Sequence, residues 1–237
     1  MPSIFGKLYL LPVPITEGNE NNFIPNYNFE IVKNLTHFIA EDAKTARRFL
    51  KYFSYPKIEN AQIVELNQHT KHLAVAELIT PLLNGFDVGL MSDAGCPAIA
   101  DPGAEVVKLA HQKNITVVPL VGPSSIVLSI MASGFTGQNF AFVGYLPIEK
   151  EAKLKRLKEL EQLVLKTSQA QFFIETPYRN VHFFEMLHNA LSPQTMLFMG
   201  VNITSPNQIL LTKTIAEWRK APAPDLNKIP VVFGIYK

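Results

Sequence analysis

With 237 residues, 47% of them hydrophobic and 18% charged, the chain has enough apolar surface for a packed core and too few charges for a disordered one. A formal net charge of +2 makes no global demand for nucleic acid, and a single cysteine excludes an internal disulfide framework. No run approaches the roughly 18 apolar residues of a membrane span, and residues 1–7 lack the features of a signal peptide; a soluble, cytoplasmic protein with no membrane contact is expected.

Residues 7–13 read as a first strand ended by Pro12 and Pro14, and 16–28, rich in Asn and Pro, as loop. A strand at 36–40 leads into a helix over 42–53, where Ala43, Ala46, Phe49, Leu50 and Phe53 recur at helical spacing. Then come a strand at 62–66, a helix over 73–83 stopped by Asn84-Gly85, a strand at 88–91, a helix over 105–112 and a strand at 115–120. Such alternation predicts a parallel sheet covered by helices on both faces.

A second glycine–proline turn at 121–125 opens a helix ending near 133. Strands are predicted at 140–143, 171–174, 196–201, 208–211 and 231–235, with a helix over 180–189. Leu154, Leu157, Leu160 and Val164 mark one face of a charged helix among them. Closely spaced late strands suggest a mixed sheet partly built from hairpins. The expected fold class is α/β, with two α/β domains: 1–120 around a parallel sheet and 121–237 around a mixed one.

The stretch 92–103 carries the most chemistry. It leaves the carboxyl end of a buried strand, where open α/β sheets bind ligands, and it holds Asp93, Asp101, two glycines and two prolines. Proline fixes φ and glycine admits φ > 0, so the loop has one preferred shape with exposed backbone groups. Asp101 precedes Pro102 and is expected to cap the helix that follows, as Asp42 is expected to cap the helix over 42–53. Asp93 could meet a cationic ligand or brace the loop through Asx-turn hydrogen bonds. Cys96 is expected to act as a small hydrophobe. His69 and His72 are three apart, but with no third ligand in sight no metal site is expected. Neither a Walker loop nor a Rossmann fingerprint occurs.

Five segments in order carry a resemblance: Lys7-Leu8-Tyr9-Leu10-Leu11-Pro12-Val13-Pro14-Ile15; Ala40-Glu41-Asp42 with Arg47-Arg48-Phe49-Leu50; Ser92-Asp93-Ala94-Gly95-Cys96-Pro97 through Asp101-Pro102-Gly103; Val118-Pro119-Leu120-Val121-Gly122-Pro123-Ser124-Ser125; and Phe142-Val143-Gly144-Tyr145-Leu146-Pro147. A weaker echo is Ile174-Glu175-Thr176-Pro177-Tyr178-Arg179. Together they resemble the tetrapyrrole methylase superfamily, the class III S-adenosylmethionine-dependent methyltransferases. Within it they are most similar to the branch that methylates small-subunit ribosomal RNA at a ribose 2′-hydroxyl. The resemblance implies two α/β domains with S-adenosylmethionine in the cleft between them, a ribosomal RNA substrate and a homodimer. The alternatives are a non-RNA acceptor, or an RNA- or ribosome-binding relative without catalysis.

Carried over residue by residue, the resemblance implies that Ser92, Asp93, Ala94, Gly95, Cys96, Pro97 and Ile99 hold the methionine end of the cofactor. Gly122, Ser124 and Ser125 would meet the adenosine, and Tyr145 and Leu146 would lie near the adenine. Glu41 is the candidate general base for a ribose hydroxyl. Arg47 and Arg48 would contact RNA phosphates; Tyr178 and Arg179 could stack on or pair with a nucleotide, or simply begin a helix. The second basic cluster, Lys150, Lys153, Lys155, Arg156 and Lys158, is interleaved with Glu149, Glu151, Glu159 and Glu161 and is expected to be a solvated helix face. Two segments depart from the branch: 13–19 keeps only part of its first-loop pattern, and 200–206 lacks its charges.

Overall fold

The structure is a computed structural model that describes residues 5–16, 23–67 and 75–237. Glu17, Gly18 and Asn19 of the divergent first loop, and the pair His69 and His72, lie outside the described residues. The chain divides into two compact units, Met1–Ser124 and Ser125–Lys237.

The first unit is built on five strands: β1 (Leu8–Leu10), β2 (His37–Ala40), β3 (Gln62–Glu65), β4 (Val88–Met91) and β5 (Val117–Pro119). They lie in the order β3-β2-β4-β1-β5, every pair parallel. Its helices are α1 (Asn26–Asn34), α2 (Ala43–Tyr52), α3 (Val75–Leu78), α4 (Thr80–Leu83) and α5 (Gly103–Gln112). Because side chains alternate along a strand, Tyr9, Phe38, Ala40 and Met91 face one side and pack with Val32 of α1 and Ala46, Phe49 and Leu50 of α2. Leu8, Ile39, Val88 and Leu90 face the other and pack with Leu78, Leu82, Val106 and Ala110. Helices on both faces leave the strand ends as the only open part of a parallel sheet.

Two differences from the predicted elements have clear causes. Helix α1 forms where loop was expected over its first turn. Three asparagines in nine residues mask its pattern, but Val32 is fully buried and Asn28 is 2% exposed with its Nδ2 donating to the Val121 carbonyl at 2.9 Å. The helix over 73–83 is realised as the two short pieces α3 and α4, with Pro81 in the first turn of the second, where a missing N–H costs nothing.

The second unit opens with α6 (Ser125–Ser133) and continues with β6 (Phe140–Tyr145), α7 (Lys150–Thr167), β7 (Ala170–Ile174), α8 (Asn180–Ala190), β8 (Met196–Val201), β9 (Ile209–Thr214), α9 (Ile215–Trp218) and β10 (Val231–Tyr236). Its sheet runs β6-β7-β10-β8-β9, with β6 and β7 parallel and the remaining pairs antiparallel. Consecutive β8 and β9 are antiparallel partners, as the late strand spacing predicts. Helices α7 and α8 cover one face through Leu157, Leu160, Val164, Phe183 and Leu187, which pack on Phe173, Leu197 and Phe233. The opposite face, with Phe172, Phe198 and Val232, is met by Leu128 and Ile130 of α6.

Helix α7 corrects one expectation. Lys153 and Glu161 are not on a solvated face but are 5% and 6% exposed. Lys153 falls at the apolar spacing of Leu157, Leu160 and Val164, and its ammonium bonds to the buried carboxylate of Glu175. Glu161 Oε1 accepts from the Ser192 amide at 2.8 Å and from the Thr195 hydroxyl, holding the turn between α8 and β8.

Candidate functional site

Strands β4, β1 and β5 are neighbours and parallel, so the loops that follow them emerge side by side. The three loops touch. Val13, after β1, forms an antiparallel bridge with Gly95, after β4: Val13 N donates to the Gly95 carbonyl at 2.9 Å and Gly95 N to the Val13 carbonyl at 3.2 Å. The Cys96 thiol lies 3.4 Å from the Pro123 carbonyl in the loop after β5. A Cβ at Gly122 would stand 2.3 Å from Cβ of Pro12, so only glycine permits that approach. Residues 121–124 thus stay with the first unit, beyond the boundary expected at Leu120.

The 92–103 loop is wound tightly. Gly95 has φ +71, and two non-glycine residues, Ala98 (φ 67) and Ala100 (φ 62), are also left-handed. Such conformations are costly for residues with a Cβ and persist where the surroundings impose them. Ser92 is buried and its hydroxyl donates to the Ala94 carbonyl at 3.0 Å. Pro97 is buried, while Asp93, Ala94, Ile99 and Ala100 are exposed. The loop ends at Asp101, whose Oδ1 accepts from the Gly103 amide at 2.7 Å at the head of α5; that helix has Pro102 as its N-cap, so Asp101 acts from one position further out.

Carboxylates gather at this edge. Glu41, just past β2, accepts from the Asp93 amide through Oε1 at 3.3 Å. Burial raises the pKa of Glu41, and the negative charges of Asp93 and Asp101 add to that, against the Asp93 amide, which lowers it. Asp101 is likewise raised, burial being the first cause; Asp93, exposed as a residue, is raised by the partial desolvation of its carboxyl group and by the charges of Asp42 and Asp101, against that of Arg48. Asp42 behaves differently. It is the N-cap of α2, accepts from the Thr45 amide at 2.6 Å, and that bond holds its pKa below the usual range. Burial pushes the Cys96 thiol up, which leaves it a poor nucleophile at neutral pH.

The remaining residues named from sequence fall as follows. Arg47 and Arg48 are exposed on α2, with the Arg48 guanidinium 5.1 Å from the Phe49 ring centroid. Ser124 ends the first unit and Ser125 starts α6 of the second. Tyr145 is 55% exposed at the end of β6, where one extra residue between Phe142 and Tyr145 bulges the strand. Leu146 turns its side chain into the core with Leu157 and Phe173, so only its backbone faces outward chemistry. Tyr178 and Arg179 sit in a single 3-10 turn, Pro177–Arg179, between β7 and α8. Asn28, which ties α1 to the loop after β5, was missed in the sequence; an asparagine in a helix with Val32 as its i+4 neighbour is the signal for it.

The chain is 27% identical over 221 residues to a Vibrio cholerae protein, 93% of this chain and 73% of that one. It is 32% identical to a Halalkalibacterium halodurans protein and 36% identical to a Streptococcus pyogenes protein, each over 177 residues. All three are named ribosomal RNA small subunit methyltransferase I. The chain is a homologue of the ribosomal RNA small subunit methyltransferases I. Its match spans 73% of this chain but only 56% and 57% of the Halalkalibacterium and Streptococcus methyltransferases I. No protein-family model matches. Among solved structures, the methyltransferase CobJ superposes with a TM-score of 0.59 over 98% of this chain and 94% of its own, at 13% identity. A conserved hypothetical protein from Aeropyrum pernix K1 superposes with 0.64 over 96% and 84%, at 12% identity. At those identities the likeness to the solved structures speaks for the fold, and the fold is of the tetrapyrrole methyltransferase type.

Proposed function

We propose that the chain is an S-adenosylmethionine-dependent methyltransferase that modifies ribosomal RNA at a ribose 2′-hydroxyl. The observation that carries it is the joined carboxyl-end platform of β1, β4 and β5, with the left-handed Gly95 bridged to Val13 and with Glu41 and Asp93 at its rim. The residues present fit the cofactor. Asp93, Ala94 and Ala100 are exposed residues of a tightly wound loop, whose backbone groups suit the polar ends of an amino acid, and carboxylates suit a ligand with a sulfonium and an ammonium. Ser92, Gly95, Cys96, Pro97 and Ile99 complete that loop, and Gly122 and Ser124 form the neighbouring turn.

When bound, S-adenosylmethionine supplies an electrophilic methyl group. The loop's contribution is to fix one geometry and exclude water, which is where much of the acceleration of a one-step displacement arises. Glu41 is the general base of this reading: its Oε1 is engaged by the Asp93 amide, leaving Oε2 to take the hydroxyl proton. A raised pKa makes that carboxylate a better base near neutral pH. Arg47 and Arg48, both exposed, supply phosphate contacts. A cytoplasmic location and a homodimer belong to the same reading; among the described residues no helix is long and apolar enough to cross a membrane.

Calorimetric titration with S-adenosylmethionine should give saturable binding by the folded protein, and its absence would end the enzyme reading. Tritiated methyl transfer to ribosomal subunits from cells lacking the protein should place label in RNA; label confined to protein or to no macromolecule would overturn the acceptor.

A further inference from the structure

The turn Pro177–Arg179 carries an arrangement that the methyl-transfer reading does not use. Tyr178 is 76% exposed, and the ammonium of Lys228 lies 5.9 Å from its ring centroid. Beside it, the Arg179 guanidinium donates through Nε to Glu175 Oε1 at 3.0 Å and is still 42% exposed. Tyr178 thus presents its ring to solvent with one cation over it, and the next residue carries a half-exposed guanidinium, so an aromatic surface and two positive charges lie near one another.

The parts are held in place from beneath. The Glu175 carboxylate is 3% exposed and is shared between the buried Lys153 ammonium, the Thr176 amide at 2.8 Å and Arg179. Burial alone would raise its pKa; the hydrogen bonds from Lys153 and Thr176 and the charges of Lys153 and Arg179 outweigh that and keep it ionised. Lys228 is left-handed, with φ +58, in a turn closed by Asn227 N donating to Asp225 Oδ1 at 3.0 Å. That turn is pinned to the first residue of α8: Asn180, fully buried, donates from Nδ2 to the Ile229 carbonyl at 2.6 Å. Leu226, 2% exposed, anchors its other side in the core. The turns that carry Tyr178 and Lys228 and the Arg179 guanidinium are therefore held before any ligand arrives, which lowers the ordering cost of binding.

We propose that Tyr178, Arg179 and Lys228 form a clamp for one unpaired nucleotide of single-stranded RNA, the base stacking on Tyr178 and the flanking phosphates meeting the two cations. The proposal rests on the RNA reading above and names the part of the substrate that this surface takes. Single-stranded RNA is favoured over duplex because a splayed base can present its face to an aromatic ring, whereas a paired one cannot.

The test is fluorescence anisotropy of the full chain with fluorescein-labelled oligouridylate, and with the same strand annealed to oligoadenylate. Tyr178→Ala should weaken binding to the single strand about tenfold or more with the salt dependence unchanged, the scale of one lost base stack. Tyr178→Phe should keep the affinity to within about twofold, since the ring does the stacking. Lys228→Ala should weaken binding and lower the slope of log K against log salt by about one phosphate contact. Neither Tyr178 nor Lys228 is buried, so all three variants should melt as the parent does. Equal affinity of Tyr178→Ala and the parent, a Tyr178→Phe loss as large as that of alanine, or absence of oligouridylate binding by the parent would each overturn the clamp. Cofactor titration and methyl transfer on the same proteins separate the two claims: Tyr178→Ala labelling ribosomal RNA at the parent rate removes the clamp alone, while a parent that never binds S-adenosylmethionine removes the enzyme reading alone.

Discussion

At the scale of single residues, the proposed function rests most on Gly95 and Glu41 at the β4 edge. At Gly95 an added Cβ has room, with its nearest neighbours, Pro123 O and an Ile15 carbon, at 3.4 and 3.8 Å. The obstacle is φ +71, where a β-branched residue is strained by about 1–2 kcal/mol or more. Gly95→Val should therefore leave the fold in place, by circular dichroism, but displace the loop enough to abolish calorimetric binding of S-adenosylmethionine. A Gly95→Val protein with parental affinity would refute the loop assignment. At Glu41 the raised pKa predicts that methyl transfer falls as pH drops through the folded value, as the base becomes protonated. Glu41→Gln should flatten that acid limb and lower the rate by about 100-fold or more, the usual worth of a positioned base. Asp42 was legible as a cap from its place before a helical pattern, whereas the crowding of Glu41, Asp93 and Asp101 was not, because they are distant in sequence and meet only across β2 and β4.

At the scale of elements, amphipathic spacing read well wherever the apolar stripe was unbroken, as in α2, α5 and the body of α7. It failed where a polar residue occupies a core position. Asn28 in α1 and Lys153 in α7 both look like surface residues by type and are buried by position, each with a specific partner. Asn28→Ala removes the donor to the Val121 carbonyl and should destabilise the first unit by about 1 kcal/mol, the net worth of one hydrogen bond, in a urea titration. Its larger effect should be on cofactor affinity, since the 121–124 turn loses its tie to α1; unchanged affinity would show that the turn is held by Gly122 against Pro12 alone. The strained Ala98 and Ala100 could not be read at all, as nothing in an alanine announces a left-handed backbone.

For the molecule as a whole, the two units respond to acid in opposite ways. Glu41, Asp93 and Asp101 have folded pKa values above their unfolded ones, so their ionisation disfavours the first unit, and its stability rises as pH falls through those folded values toward about 4. Glu175 lies below its unfolded value; the stability it adds to the second unit is present above about pH 4.3 and lost as pH falls through the lower folded value. The chain has a single tryptophan, Trp218, which is 1% exposed, donates to the Leu197 carbonyl at 2.9 Å and stacks edge-on with Phe184. Its fluorescence therefore reports the second unit. Urea midpoints followed by Trp218 should drop below about pH 4, while those of first-unit amides followed by hydrogen exchange should rise as pH falls through the raised folded values toward about pH 4. Parallel movement of the two would contradict the assignment of these carboxylates.

Local information in the chain was enough for the strand and helix alternation, the parallel and mixed character of the two sheets, and a turn-rich loop with two carboxylates after β4. These follow from periodicity and from turn residues, which act over a few neighbours along the chain. Tertiary structure alone decided that Val13, Gly95 and Pro123 meet, that Glu41 leans on the Asp93 amide, that Lys153 is buried against Glu175, and that Lys228 comes to lie over Tyr178. Each of those joins residues far apart in sequence, and strand order, not local propensity, determines which loop ends stand beside which.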